Sequence, residues 1–125
     1  MAIVPNPAQY GPRGARLPVN STDTRLTVTV SSATTSYTLT ADDANTAMTF
    51  TGTLTVLIPD NSSVAFPIGT QLVIINRGSG TIGIDAASSA SILSAGSVYD
   101  ITAQYGVASL IKTGTDEWYL AGNLA

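Results

Sequence analysis

The sequence predicts an all-β domain, a compact antiparallel β-sandwich or barrel of jelly-roll-like type, preceded by an extended N-terminal arm. Three observations predict it. From Leu26 onward, short stretches alternate apolar and polar residues with the period of two that a pleated strand imposes. Clusters of Gly, Pro, Asn, Asp and Ser interrupt them at intervals of about ten residues, as in all-β modules. No segment carries an apolar stripe at helical spacing.

Composition narrows the function classes. Charged residues make up 10% of the 125-residue chain and hydrophobic residues 44%. Soluble domains usually carry about 25% charged residues. A small domain has much surface for its volume. So few charges predict that other protein covers part of that surface, hence an oligomer. The net charge of -3 gives no general field to attract nucleic acid. With no Cys there is no disulfide framework and no thiolate metal site. With no His, the commonest general base and zinc ligand are missing. No apolar run reaches the ~18 residues that span a bilayer. Met1-Ala2-Ile3-Val4-Pro5-Asn6-Pro7 lacks the basic and apolar regions of a secretory signal, so synthesis and use in a cytoplasm are expected. No cofactor is expected.

Residues 1–24 form the arm, and residues 25–125 the β-domain. Four of the six prolines, Pro5, Pro7, Pro12 and Pro18, fall in the arm. Proline fixes φ and removes a ladder donor, which keeps this segment extended and outside a central sheet. It reads either as a tail or as an arm ordered on a partner surface. Ile3, Tyr10 and Leu17 supply apolar anchors, Arg13, Arg16 and Arg25 supply charge, and Pro5 stiffens the start. Stiffening lowers the ordering cost of binding.

Leu26-Thr27-Val28-Thr29-Val30 alternates as a half-buried strand. Tyr37-Thr38-Leu39-Thr40 resumes the alternation, and Ala41-Asp42-Asp43-Ala44-Asn45 reads as a turn. Ala47–Thr51 and Leu54–Ile58 look paired through Thr51-Gly52-Thr53. Pro59-Asp60-Asn61-Ser62-Ser63 ends that pair as a tight turn. Leu72-Val73-Ile74-Ile75 is the longest apolar run, and the alternation Thr81-Ile82-Gly83-Ile84-Asp85 follows it. With Asn76-Arg77-Gly78-Ser79-Gly80 between them, the two read as a central hairpin. Ala86–Ala90 reads as a loop, Ile92-Leu93 as a short strand and Ser97–Ala103 as another. Val107–Lys112 and Glu117–Leu120 flank Thr113-Gly114-Thr115-Asp116 as a second hairpin. Leu72, Ile74, Ile75, Leu110, Trp118 and Leu120 are assigned to the core or to a subunit interface. No exact sequence repeat appears.

No catalytic constellation emerges. Asp42-Asp43 and Asp116-Glu117 are neighbours, and neighbouring strand residues point to opposite faces. At turns, such acids are ordinary capping residues. Asp60-Asn61-Ser62 lacks the spaced oxygen ligands of a calcium loop. The glycines after Arg77 lead into a strand, whereas a phosphate loop leads into a helix. Tyr99, Tyr105, Trp118 and Tyr119 leave a glycan-binding platform as the competing reading.

The last two thirds of the chain resemble small β-modules in structural proteins of tailed bacteriophages, at fibre ends and in capsid decoration (cement) proteins. The resemblance covers residues 37–124. It rests on Tyr37-Thr38-Leu39-Thr40-Ala41-Asp42-Asp43-Ala44, on the proline-terminated Leu57-Ile58-Pro59, and on the turn Pro67-Ile68-Gly69-Thr70. It rests also on Ile74-Ile75-Asn76-Arg77-Gly78-Ser79-Gly80-Thr81, on Gln104-Tyr105-Gly106, and on the closing strand Trp118-Tyr119-Leu120-Ala121-Gly122. It implies a virion component, commonly a homotrimer; charge and hydropathy separately lead to the expectation of no nucleic-acid and no membrane partner. The absence of a shaft before the module favours a decoration protein on the capsid surface, with the major capsid protein as partner. A tail-fibre or tail-tip module binding a receptor or glycan is the alternative.

Overall fold

The computed structural model describes residues 26–125. The proposed arm residues Ile3, Pro5, Tyr10, Arg13, Arg16, Leu17 and Arg25 lie outside the described residues. Among the described residues ten strands occur in order: β1 (Thr27–Val30), β2 (Ser36–Thr38), β3 (Thr46–Phe50), β4 (Leu54–Ile58), β5 (Gln71–Asn76), β6 (Ile82–Ala86), β7 (Ser91–Ser94), β8 (Asp100–Ile101), β9 (Val107–Gly114) and β10 (Glu117–Gly122). The described residues also contain two single 3-10 turns, Ala41–Asp43 and Ala95–Ser97.

The strands form two sheets, β1-β3-β5-β9-β10-β7 and β2-β4-β6-β8. All-β, sandwich-like architecture is therefore found, and neither sheet closes into a barrel. The antiparallel, jelly-roll-like expectation is corrected. Five of the eight strand pairings are parallel, namely β1/β3, β3/β5, β2/β4, β4/β6 and β7/β10. The first six strands alternate between the sheets, so the chain winds as three coils, each adding one strand to each sheet. Thr27 lies beside Thr46 and Ser36 beside Thr55, the same offset of 19 residues in both sheets. The sequence carries no repeat at this offset that periodicity alone would reveal. β9 and β8 then pack antiparallel on β5 and β6 and end the coil.

This winding overturns the central hairpin. β5 and β6 lie in different sheets, and Arg77–Thr81 crosses between them. Leu72 and Ile74 face Ile82 and Ile84 across the core instead of sharing one sheet face. The same holds for β3 and β4, which Thr51–Thr53 connects across the sandwich. The glycines therefore have another purpose than a hairpin turn. A Cβ on Gly80 would stand 2.6 Å from Thr53 N and 2.7 Å from Gly52 C. The two crossovers stack backbone on backbone, and only glycine fits the contact. The second hairpin is found as expected, with β9 and β10 antiparallel around Thr115-Asp116. The strand expected over Ser97–Ala103 shrinks to Asp100–Ile101, because Ala95–Ser97 turns the chain first.

The core lies between the sheets. Met48, Phe50, Leu72, Ile74, Leu110, Trp118 and Leu120 come from one sheet, and Leu54, Val56, Ile58, Ile82, Ile84 and Ile101 from the other. Phe66 closes the lower end, edge-on to Trp118 with ring centroids 5.5 Å apart. "Upper" here denotes the end where β1, β3 and β5 finish.

Two buried polar side chains hold the loops at opposite ends. At the upper end Asn76 donates to Gly80 O (2.8 Å) and Ile101 O (3.1 Å) and accepts from Gly78 N (3.1 Å). It thus fixes the crossover to β8. At the lower end Lys112 Nζ donates to Asn61 Oδ1 (2.6 Å) and Phe66 O (2.7 Å). The ammonium straps the 59–70 connection under the core. Buried polar groups are tolerated when so satisfied.

The Asp43 carboxylate accepts from Tyr37 Oη (2.7 Å) and Thr40 N (2.8 Å). Burial first, and then the bond to Asp43, raise the Tyr37 hydroxyl above its ordinary 10.0. A raised folded pKa means that this contribution is complete below about pH 10 and is lost as pH climbs through the folded value. Urea unfolding is expected to show stability declining above that pH, and Tyr37→Phe is expected to flatten the decline. An identical alkaline decline in both proteins would rule out this source.

Candidate interaction surface

The alternation of the strands gives the six-stranded sheet an outer face, away from the core. Three cross-strand rows cross it. The first is Val28, Ala47, Val73, Ser109 and Ala121. The second is Val30, Thr49, Ile75 and Val107. The third is Gln71, Ile111, Tyr119 and Leu93. None of these positions is charged. Val28 is 64% exposed, Val30 74%, Tyr119 51% and Ile111 42%. Charge first appears at the lower margin, where Glu117 Oε1 accepts from Thr113 Oγ1 at 2.8 Å.

The outer face of the four-stranded sheet differs. Its rows read Ser36, Thr55, Gly83 and Asp100, then Thr38, Leu57 and Asp85. Two carboxylates and several hydroxyls suit water. A sheet with one wetted face normally shows that polar pattern outward. The six-stranded sheet instead shows valine, isoleucine, leucine and tyrosine outward. Ala47 and Thr49 in β3 are buried, and Val28, Val30, Ile111 and Tyr119 to either side of them are exposed; exposed apolar side chains grouped on one face mark an interaction surface.

Five of the six residues assigned to core or interface, Leu72, Ile74, Leu110, Trp118 and Leu120, point inward and are buried. Ile75 points outward, half-buried, into the second row. Val28, Val30, Val73 and Ile111 were not singled out from sequence, and Tyr119 was noted only as an aromatic of the glycan reading. The available signal was Trp118-Tyr119, where only one neighbour can face the core. Val28 and Val30 invert the expected parity of β1. Their apolar side faces outward, Thr27 and Thr29 lie on the opposite side, and all four residues are exposed, so the half-buried strand expected here is corrected.

The remaining candidates disperse. Asp43 is buried and occupied by Tyr37 and Thr40, whereas Asp42 is exposed. Asp60 accepts from Ser62 Oγ (2.8 Å) and Ser63 N (3.0 Å), bonds that lower its pKa. Asp116 Oδ1 accepts from Asn61 N at 2.7 Å. Among the described residues, no three acidic side chains gather as metal ligands would. The aromatics form no single platform. Trp118 is internal, Tyr119 lies on the outer face and Tyr105 at the upper end. Tyr99 and Tyr119 share the border of one open depression of about 540 Å³. Tyr105 is 72% exposed and holds φ +68°, a left-handed conformation rare for a bulky side chain. Its N–H bonds to Asn76 O at 2.6 Å, so the buried Asn76 also anchors this loop.

Charge divides unevenly along the chain. Residues 26–125 carry seven acids and two bases, net -5, and residues 1–25 one acid and three arginines, net +2. With Lys112 buried, Arg77 is the one exposed cation among the described residues. No family model, curated protein or solved structure matches the chain.

Proposed function

We propose that this protein is a non-catalytic structural component that assembles through the outer face of its six-stranded sheet. In this reading it is a homotrimeric capsid decoration protein of a tailed phage. It sits on the capsid surface and cross-links subunits of the major capsid protein. The observation that carries self-association is the charge-free apolar face, set opposite a polar and acidic one. The phage assignment is supported by the resemblance over residues 37–124. The arm's role is supported by composition, since three of the five basic residues lie in residues 1–25. Trimerisation presents three arms at once, so weak contacts gain through effective concentration.

Deleting residues 1–20 tests the arm. The deletion protein is expected to fold and yet to lose binding to the expanded, undecorated capsids of its phage. Undiminished binding by the folded deletion protein removes the arm from the account.

A receptor- or glycan-binding tip is the second reading. Tyr105 favours it, because strain retained at an exposed aromatic often accompanies recognition. Binding on a glycan array that disappears in Tyr105→Ala would select this reading over decoration.

A further inference from the structure

We propose that the two open edges of the six-stranded sheet meet between copies, β1 of one chain adding in parallel to β7 of the next. The proposal rests on the self-association above and specifies which edges join. Among the described residues, no backbone group pairs on the far side of β1 or of β7. Both strands are four residues long, Thr-Val-Thr-Val and Ser-Ile-Leu-Ser. Neither carries the charge, proline or bulge by which proteins guard an edge. The other sheet is guarded. Its edge strands have three residues in β2 and two in β8, the latter including Asp100. The unguarded edges thus belong to the sheet with the apolar face.

Strand direction selects the pairing. β1, β3 and β5 run parallel, β9 reverses, β10 reverses again and β7 follows β10. β1 and β7 therefore point the same way. Rotation about an axis along the strands preserves their sense, so a cyclic assembly sets β1 beside a neighbour's β7 in parallel. Both strands already pair in parallel on their inner sides. A twofold pairing of β1 with β1 would be antiparallel and would leave β7 open; only the heterologous ring uses both edges.

The free groups match as well. Ser31 N–H bonds to Thr49 O, and Thr29 O accepts from Thr49 Oγ1. Odd residues of β1 thus address β3, and Val28 and Val30 present N–H and C=O outward. Ser91 N–H bonds to Asp116 O, so Ile92 and Ser94 present theirs on β7. Beside β7, at the seam of the sandwich, lies an open depression of about 340 Å³ bordered by Ile84, Ala87, Ile92 and Tyr99. It leaves room for the threonines of an incoming β1. On the outer side, Val28 and Val30 would meet Leu93 and continue the apolar face.

The chain has no cysteine, so thiols can be placed at will. Val30→Cys/Leu93→Cys in the full-length protein, treated with a short bismaleimide, tests the edges. Within one chain β1 and β7 stand five strand spacings apart, roughly 24 Å, beyond the linker's reach. The double variant is expected to give covalent trimers on denaturing gels, and each single variant only monomer. Native trimer without covalent trimer overturns the edge pairing and leaves self-association standing. Dimers from a single variant overturn it in favour of a twofold edge. A protein monomeric before cross-linking overturns both. Val28→Pro is the second variant, since it removes an outward N–H and spares the ladder to β3. It is expected to be folded by circular dichroism and monomeric. A trimeric Val28→Pro protein contradicts the proposal.

Discussion

Asn76→Leu is expected to destabilise the protein by roughly 3–5 kcal/mol, because it strands buried partners while keeping the side chain's shape. Three groups lose their bonds at once: the carbonyls of Gly80 and Ile101 and the N–H of Gly78. Leucine satisfies none of them. The crossover then loses its tie to the carbonyl of Ile101 in β8, whereas the backbone bond from Tyr105 N–H to the carbonyl of residue 76 remains. For a domain of this size the thermal midpoint should fall by roughly 15–30 °C. The comparison needs equal protein concentrations, since assembly adds its own stabilisation. Ser79→Ala, at the exposed tip of the same crossover, should stay within ~0.5 kcal/mol of wild type. A midpoint for Asn76→Leu equal to that of Ser79→Ala would falsify the role given to Asn76.

Ile111→Glu is expected to abolish assembly and to leave the fold intact. Ile111 sits in the third row of the apolar face, on the long strand β9 between Gln71 and Tyr119. At 42% exposure its side chain can become a carboxylate without entering the core. At an apolar interface the carboxylate must be desolvated, at a cost of several kcal/mol per ion. Three copies around one axis also repel one another. Each 1.4 kcal/mol is tenfold in affinity, so association should weaken by roughly a thousandfold or more. Thr55→Glu places the same charge on the opposite, polar face and should leave assembly unchanged. Equal association of the two variants would place the interface elsewhere.

The strand positions were legible in the sequence because alternation and turn residues are local signals. β3, β4, β5, β6, β9 and β10 all lie where the pattern put them. The pairing was not legible. Thr51-Gly52-Thr53 and Asn76-Arg77-Gly78-Ser79-Gly80 look like hairpin loops, because short glycine-bearing connections usually join antiparallel neighbours. Here each crosses between sheets, and Gly78 and Gly80 serve contact with the crossover of the previous coil. Only three-dimensional stacking supplies that constraint, as Gly80 against Gly52 and Thr53 shows.

The candidate surface was half legible. Low charge raised the expectation of a covered surface, and Trp118-Tyr119 required one outward aromatic, which is Tyr119. Which side of each strand is outward depends on register, and a one-residue difference in parity flips every side chain. In β1 that parity puts Val28 and Val30 outside, against the usual rule that the apolar side faces the core. In β5 the continuous apolar run hides the parity, so Ile75 was grouped with its inward neighbours.

The central claim is that the uncharged face of the six-stranded sheet is covered by other copies of the chain. Sedimentation equilibrium of the full-length protein at micromolar concentration tests it most directly. A single species with three times the 12.8 kDa chain mass is the expected result. A monomer across the whole concentration range would contradict it.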